Sequence, residues 1–512
     1  MENSNNKIVK NTLFLYLRMV LIMGVSLFTS RVVLNILGVE DFGIYNIVGG
    51  VVVLFSYLNS AMTASTQRFI SFEIGRENPD GIRNIFNMGL NIHIIFTVLF
   101  LVIAETIGLW LIRTQLVIPE NRLFAANFVY QFSVISTAIN ILTIPYTSLI
   151  IAHERMNVFA YFSIAETMLK LIIVFLLTLD LGDKLIVYSI LYALITVLIR
   201  LIYYIYCRYN FTESRFLAFW STTIFKEMFF FTGWNFFGAT AGVSMNQGTN
   251  ILMNIFFGPA VNAARGIATQ VQGVISQFVT NFMQAVNPQI VMKYASGKKE
   301  EMFLLVSTSS KLSFFLMAII SLPFIIKMEF IINLWLGKVP EYSVLFTQLM
   351  IIYQLTISLT YPINTASQAS GKVKLFQITE GTILLLILPV SYFQLKVGFQ
   401  AYTVLVTMII LSSVAFVARL FVLKKTIGFP LNRYFNDVLL KVFLVTLMFG
   451  IIYFAVSFIP STSFLSELSL IFLVFFSSIA FVYFLGLNYN EKQFIKNKVN
   501  SLLKTKSINE HI

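Results

Sequence analysis

Charge is scarce in this chain. Only 12% of its 512 residues are charged, about half the 25% share usual for a water-soluble protein. That excludes folding around one water-shielded core. Cys207 is the sole cysteine, which excludes an internal disulfide and a cysteine-ligated metal site. The sequence holds no Walker A loop, HExxH, GxSxG or metal-ligand cluster, so it carries no signature of an ATP-driven engine or a hydrolase. A membrane-embedded glycan polymerase or ligase is expected to bear a large loop outside the bilayer. No loop between the apolar runs exceeds about 20 residues, so the chain reads as a non-enzyme that needs no cofactor.

What is abundant is apolar. Hydrophobic residues make up 57% of the chain, with 52 phenylalanines. Windows of about 20 apolar residues mark roughly fourteen membrane spans: 12–37, 43–66, 86–112, 123–151, 157–179, 185–207, 228–257, 262–290, 305–333, 343–367, 375–395, 399–421, 438–459 and 465–487. The polar MENSNNKIVK start, and the long run after it, do not fit a cleaved signal peptide. With the N-terminus inside, the inner loops hold about 23 Lys and Arg and the outer loops about 5, a strong positive-inside bias. Both termini then lie in the cytoplasm. The net charge of +13 belongs to these loops rather than to a nucleic-acid surface.

The text repeats itself. LTIPYTSLIIAHERMNVF at 142–159 matches LTYPINTASQASGKVKLF at 359–376, with Pro145 on Pro362 and Arg155 on Lys372. LNILGVEDFGIYNIV at 34–48 matches MNIFFGPAVNAARGIA at 253–268, with Gly38 on Gly258. RFISFEIGREN at 68–78 matches PQIVMKYASGKKE at 288–300, with Gly75 on Gly297 after a two-residue slip. Three matches in order at a nearly common offset mark an internal duplication of six spans. An even number of spans makes the copies parallel repeats about an axis along the membrane normal. The expected fold is therefore all-α and polytopic. Residues 1–215 form one six-helix lobe, 216–430 the second, and 431–512 add two helices and a basic tail. Pro145 and Pro362 sit at equivalent depth, as packing kinks or as hinges.

LGVEDFGIYNIVGG at 37–50, TQRFISFEIG at 66–75 and NPQIVMKYASG at 287–297 resemble the bacterial Wzx-type flippases of O-antigen and capsular repeat units. These belong to the multidrug/oligosaccharidyl-lipid/polysaccharide exporter superfamily, and the resemblance runs over essentially the whole chain. It implies a MATE-like two-lobed transporter of the bacterial inner membrane. Such a protein carries an undecaprenyl-pyrophosphate-linked oligosaccharide across the bilayer, alongside membrane lipids, a glycan polymerase and other assembly proteins. The alternative within the superfamily is a cation-coupled multidrug antiporter. That activity needs embedded carboxylates, and only Glu105 and Glu166 qualify.

Charges inside spans are costly and usually functional. Here the excess is positive, which suits a pyrophosphate cargo, and arginine's planar fork grips phosphate best. The cationic cavity candidates are Arg18 and Arg31 on span 1 and Arg265 on span 8. They match the family's cationic residues by span and residue type. Arg18 and Arg31 lie thirteen residues apart, about 20 Å along a helix and on different faces. Arg68 closes span 2 and reads as an orientation charge. Glu166 and Lys170, four apart on span 5, share a face, either as a neutralised pair or as an ion-coupled switch. Arg200, Lys311, Lys327 and Arg419 read as snorkelling near span ends. Spans 7 and 8 are unusually polar. Asn246, Gln247, Asn250, Gln270, Gln277 and Gln284 are the candidates for meeting sugar hydroxyls, and several of them recur near every seven residues.

Overall fold

The computed structural model describes residues 2–53, 56–114, 118–179, 182–337, 339–459, 463–493 and 496. Side chains at a further set of positions, Arg31 among them, lie outside the description. Among the described residues the chain is helical throughout, without strands. The fourteen principal helices are α1 (Glu2–Val53), α2 (Ser56–Gly75), α3 (Pro79–Gly108), α4 (Glu120–Ala152), α5 (Met156–Leu176), α6 (Lys184–Asn210), α7 (Thr222–Phe257), α8 (Pro259–Ala295), α9 (Lys299–Ile326), α10 (Ser343–Ser370), α11 (Val373–Lys396), α12 (Tyr402–Ile427), α13 (Leu431–Val456) and α14 (Phe464–Gly486). Among the described residues eleven helices are long and apolar enough to cross a membrane. Helices α7 and α8, of 36 and 37 residues, are long enough but carry too many polar residues for that test, as their Asn and Gln content leads one to expect. The chain is a multi-pass membrane protein.

Local chemistry sets the helix ends. Asn78 accepts from the Gly81 amide at 3.1 Å and Pro79 starts α3. Asp183 accepts from the amides of Leu185 and Ile186 to start α6. Ser463 and Ser466 form a reciprocal capping box on α14. Gly428, at φ +77, ends α12. The junction expected between spans 1 and 2 is a sharp break rather than a long loop: Gly38, at φ +80 and ψ 170, divides α1 into two helical segments.

Left-handed residues occur in four pairs 216 to 220 positions apart: Gly38 with Gly258, Glu77 with Gly297, Glu154 with Gly371, and Gly182 with Gly398. The partner of Gly297 is Glu77 rather than Gly75, so the expected two-residue slip is a mis-set alignment. Turn geometry is what the repeat preserves there. Gly75 has another role: a Cβ at that position would lie 2.5 Å from the Met292 carbonyl oxygen, so its bare Cα lets α2 and α8 cross closely.

The aligned prolines differ. Pro145 lies inside unbroken α4. Pro362 follows a two-residue interruption at Leu359–Thr360 and sits in the first turn of the renewed helix, where its missing N–H costs little. The Leu359 carbonyl there accepts the buried Ser310 hydroxyl at 2.8 Å.

By contacts the described chain divides into two compact units. The first comprises 1–243, 281–302 and 365–381, and the second 244–280, 303–364 and 382–512. In the first unit, one core joins Phe100, Ala104, Val129, Tyr130 and Val134 between α3 and α4. In the second, Met253, Ala264, Phe346, Met350, Val404 and Met408 form a core. Lys311, 1% exposed at its side chain, pairs with Glu491 at 2.8 Å, and Lys327 pairs with Glu467 at 2.9 Å. These lysines do not snorkel. They fasten α14 and the residues after it to α9, because a buried ammonium needs a partner more than it needs the interface.

Candidate functional site

Within the first unit, α1, α2, α4, α5, α6 and the end of α8 enclose a cavity of about 430 Å³. Its polarity comes from stripes at helical spacing. Asn140, Thr143 and Thr147 line it from α4, and Ser163, Glu166 and Thr167 from α5. Each stripe is one face of an otherwise apolar helix.

The charged groups meet there. Glu166 takes Lys170 Nζ at 2.8 Å and an Arg200 terminal nitrogen at 3.3 Å. Arg200 Nε donates to Asn140 Oδ1 at 2.7 Å. Lys170 also donates to the Tyr192 hydroxyl at 3.0 Å and lies 4.4 Å from that ring's centroid. Arg18 stacks over Phe159, 4.6 Å from its centroid. Arg18 Nε and Asn59 Oδ1, both on the cavity wall, are buried without a hydrogen-bond partner among the described residues. Lys170 and Arg200 thus hold one carboxylate, and Arg18 adds a third cation to the same site.

Of the residues anticipated from sequence, Arg18, Glu166 and Gln284 line this cavity, and Lys170 closes the network behind Glu166. Arg31 lies on α1 with its side chain outside the description. Arg265 lies elsewhere, in the second unit. It is 2% exposed and donates to Thr249 Oγ1 at 2.7 Å and the Asn246 carbonyl at 3.2 Å, with the sulfurs of Met253 and Met408 alongside. Asn250 accepts from Asn262 Nδ2 at 3.2 Å. Gln247, Gln270 and Gln277 are exposed. Gly266, Gln270, Gly273, Gln277 and Thr280 form an exposed polar stripe on α8. Such a stripe at membrane depth belongs against water rather than lipid.

Arg200, whose place near a span end suggests snorkelling, sits in the middle of the ion network. The overlooked signal was the stripe of Asn140, Thr143 and Thr147, which marks a wet face for Arg200 to meet. Arg68, read as an orientation charge, instead donates at 3.0 Å each to the Gln368 and Ala369 carbonyls at the end of α10. The polar turn after α4, His153-Glu154-Arg155, is a fastening. Buried Glu154 holds Lys7 at 2.5 Å and Gln289 Nε2 at 2.6 Å.

The fold is that of solved MATE transporter structures. It is similar to the outward-facing conformation of a multidrug resistance MATE family transporter of the MOP superfamily, at TM-score 0.71 and 13% identity, covering 83% of this chain and 96% of that one. It is similar too to a MATE in the bent conformation, at TM-score 0.70, 12% identity and coverages of 83% and 96%. A Vibrio cholerae MATE transporter VcmN D35N mutant matches at TM-score 0.65 and 16% identity, over 85% of this chain and 99% of that one. No curated protein sequence matches significantly. Over residues 8–293, more than half its length, the chain matches the polysaccharide biosynthesis protein family, and it belongs to that family.

Proposed function

We propose that this protein is a flippase for a lipid-linked oligosaccharide, carrying an undecaprenyl-pyrophosphate-linked glycan across the bacterial inner membrane for O-antigen or capsule synthesis. One observation carries the reading: among the described residues Glu166 is the one carboxylate on the cavity wall, with Arg18 and Arg200 on the same wall and Lys170 bonded behind it. The surplus positive charge attracts a pyrophosphate, and the surrounding amides and hydroxyls suit sugar hydroxyls. The family membership supports a polysaccharide cargo. The two sequence repeats, 1–215 and 216–430, are the parts that alternate access, and both termini lie in the cytoplasm.

A cation-coupled drug antiporter is the competing reading. It needs a carboxylate free to exchange a proton or sodium ion for cargo. Glu166, the one acid lining the cavity among the described residues, is already held by Lys170 and Arg200.

The test is complementation of a strain lacking its own repeat-unit flippase, scoring surface glycan at matched protein levels. Wild type restores the glycan, whereas Arg18→Ala and Arg200→Ala reduce it by tenfold or more, since each removes a charge-assisted contact of about 1.5–3 kcal/mol. Full rescue by both variants would sink the site. Drug resistance gained without surface glycan would favour the antiporter.

A further inference from the structure

A second cavity, of about 570 Å³, lies where α7 begins and α10 gives way to α11. It shares no lining residue with the first. Its wall carries four cations, Arg68, Lys226, Lys372 and Lys374, against one carboxylate, Glu227. Arg68, 8% exposed, is a fixed post. Besides its bonds to the Gln368 and Ala369 carbonyls, its guanidinium stacks on Phe69, Phe72 and Phe231 at 4.5, 4.7 and 5.4 Å. The three lysines are exposed, and none has an ion-pair partner among the described residues. The remaining wall is aromatic. Lys374 Nζ lies 5.3 Å from the centroid of the Trp234 ring. Phe230 is 61% exposed, beside Phe229 at 46%. A surface that places unpaired ammonium groups next to bare phenylalanines meets two chemistries at once, an anion and a hydrocarbon.

We propose that this cavity binds the phosphate headgroup of an anionic membrane lipid, with the acyl chains lying along Phe229 and Phe230. The positive-inside bias puts these lysines on the cytoplasmic side, where anionic headgroups draw basic clusters. Free phosphate shares the headgroup's charge but has no use for the aromatic wall. Because Arg68 ties α2 to the end of α10, and Lys372 and Lys374 flank the start of α11, a bound headgroup bridges these elements. The site is independent of the identity of the transported cargo.

The test is native mass spectrometry of the delipidated full-length protein titrated with phosphatidylglycerol, using phosphatidylcholine as the zwitterionic control. The wild type is compared with the triple variant Lys226→Gln, Lys372→Gln, Lys374→Gln. These exposed lysines leave Arg68 and the core intact, and an unchanged unfolding temperature verifies it. First-site affinity for phosphatidylglycerol falls by about tenfold or more in the variant, with phosphatidylcholine unaffected. Equal phosphatidylglycerol binding by the two proteins, or an equal loss of both lipids, overturns the proposal. Complete displacement of the lipid by millimolar inorganic phosphate assigns the site to a free anion and overturns the lipid reading.

Discussion

At the scale of residues, the contrast is between Arg18 and Arg265. Both are arginines inside spans, and sequence treats them alike. Arg18 reaches a cavity with an unpartnered Nε. Arg265 spends its donors on Thr249 and a helix carbonyl. Burying a guanidinium is tolerable only when its donors are met, and in this structure Arg265 meets them with protein. Glu166 is the keystone of the cationic cluster. Changing it to Gln leaves Lys170 and Arg200 facing each other without a carboxylate and lowers stability by about 3 kcal/mol. Adding Lys170→Gln recovers part of that loss, so a double-mutant cycle gives a coupling of about 1 kcal/mol or more. Thermal unfolding of the four proteins in detergent measures it, and a coupling near zero would show the pair to be incidental.

At the scale of elements, the repeat predicts its own repairs. Glu77 occupies a left-handed turn that the second copy fills with Gly297. Glu77→Gly removes the Cβ penalty and raises stability by up to about 1 kcal/mol. Gly258→Ala costs about 1–2 kcal/mol although its Cβ would meet open space, because the strain lies in φ alone. Matched melting curves decide both, and Glu77→Gly melting lower than wild type would count against the turn equivalence. The last two helices depend on their ion pairs. Glu491→Ala strands buried Lys311 and costs about 3 kcal/mol. Limited proteolysis should then cut near residues 460–490 before the rest of the chain. Unchanged protection there would mean that apolar packing alone docks them.

At the scale of the whole molecule, topology is the quantity to test. Cys207 is buried, so replacing it with Ser leaves a background silent to thiol reagents. In that background, a cysteine at Asn78 reacts with an impermeant maleimide only in inside-out vesicles, and one at Gly182 reacts in intact cells. The reverse pattern would invert the assigned orientation and move the lysine-lined cavity to the other leaflet. How much of this was legible beforehand varied by feature. The helical spans and the duplication stood out, because hydropathy and repetition are local properties of text. The cavity was half legible: Arg18, Gln284 and the Glu166–Lys170 pair were singled out, while Arg200, Asn140 and Asn59 were passed over. Their roles depend on which helices become neighbours.

Sequence alone determined that this chain lives in a bilayer, that it is helical, and that similar segments recur in its two halves with a surplus of positive charge. Each follows from a summed property, the transfer energy of apolar runs or the recurrence of a pattern, which does not depend on the path of the fold. Tertiary structure alone decided which cations stay available. A charge in a low-dielectric interior is governed by its nearest partners, and only packing brings Glu166 to Arg200, Glu491 to Lys311 and the carbonyls of α10 to Arg68.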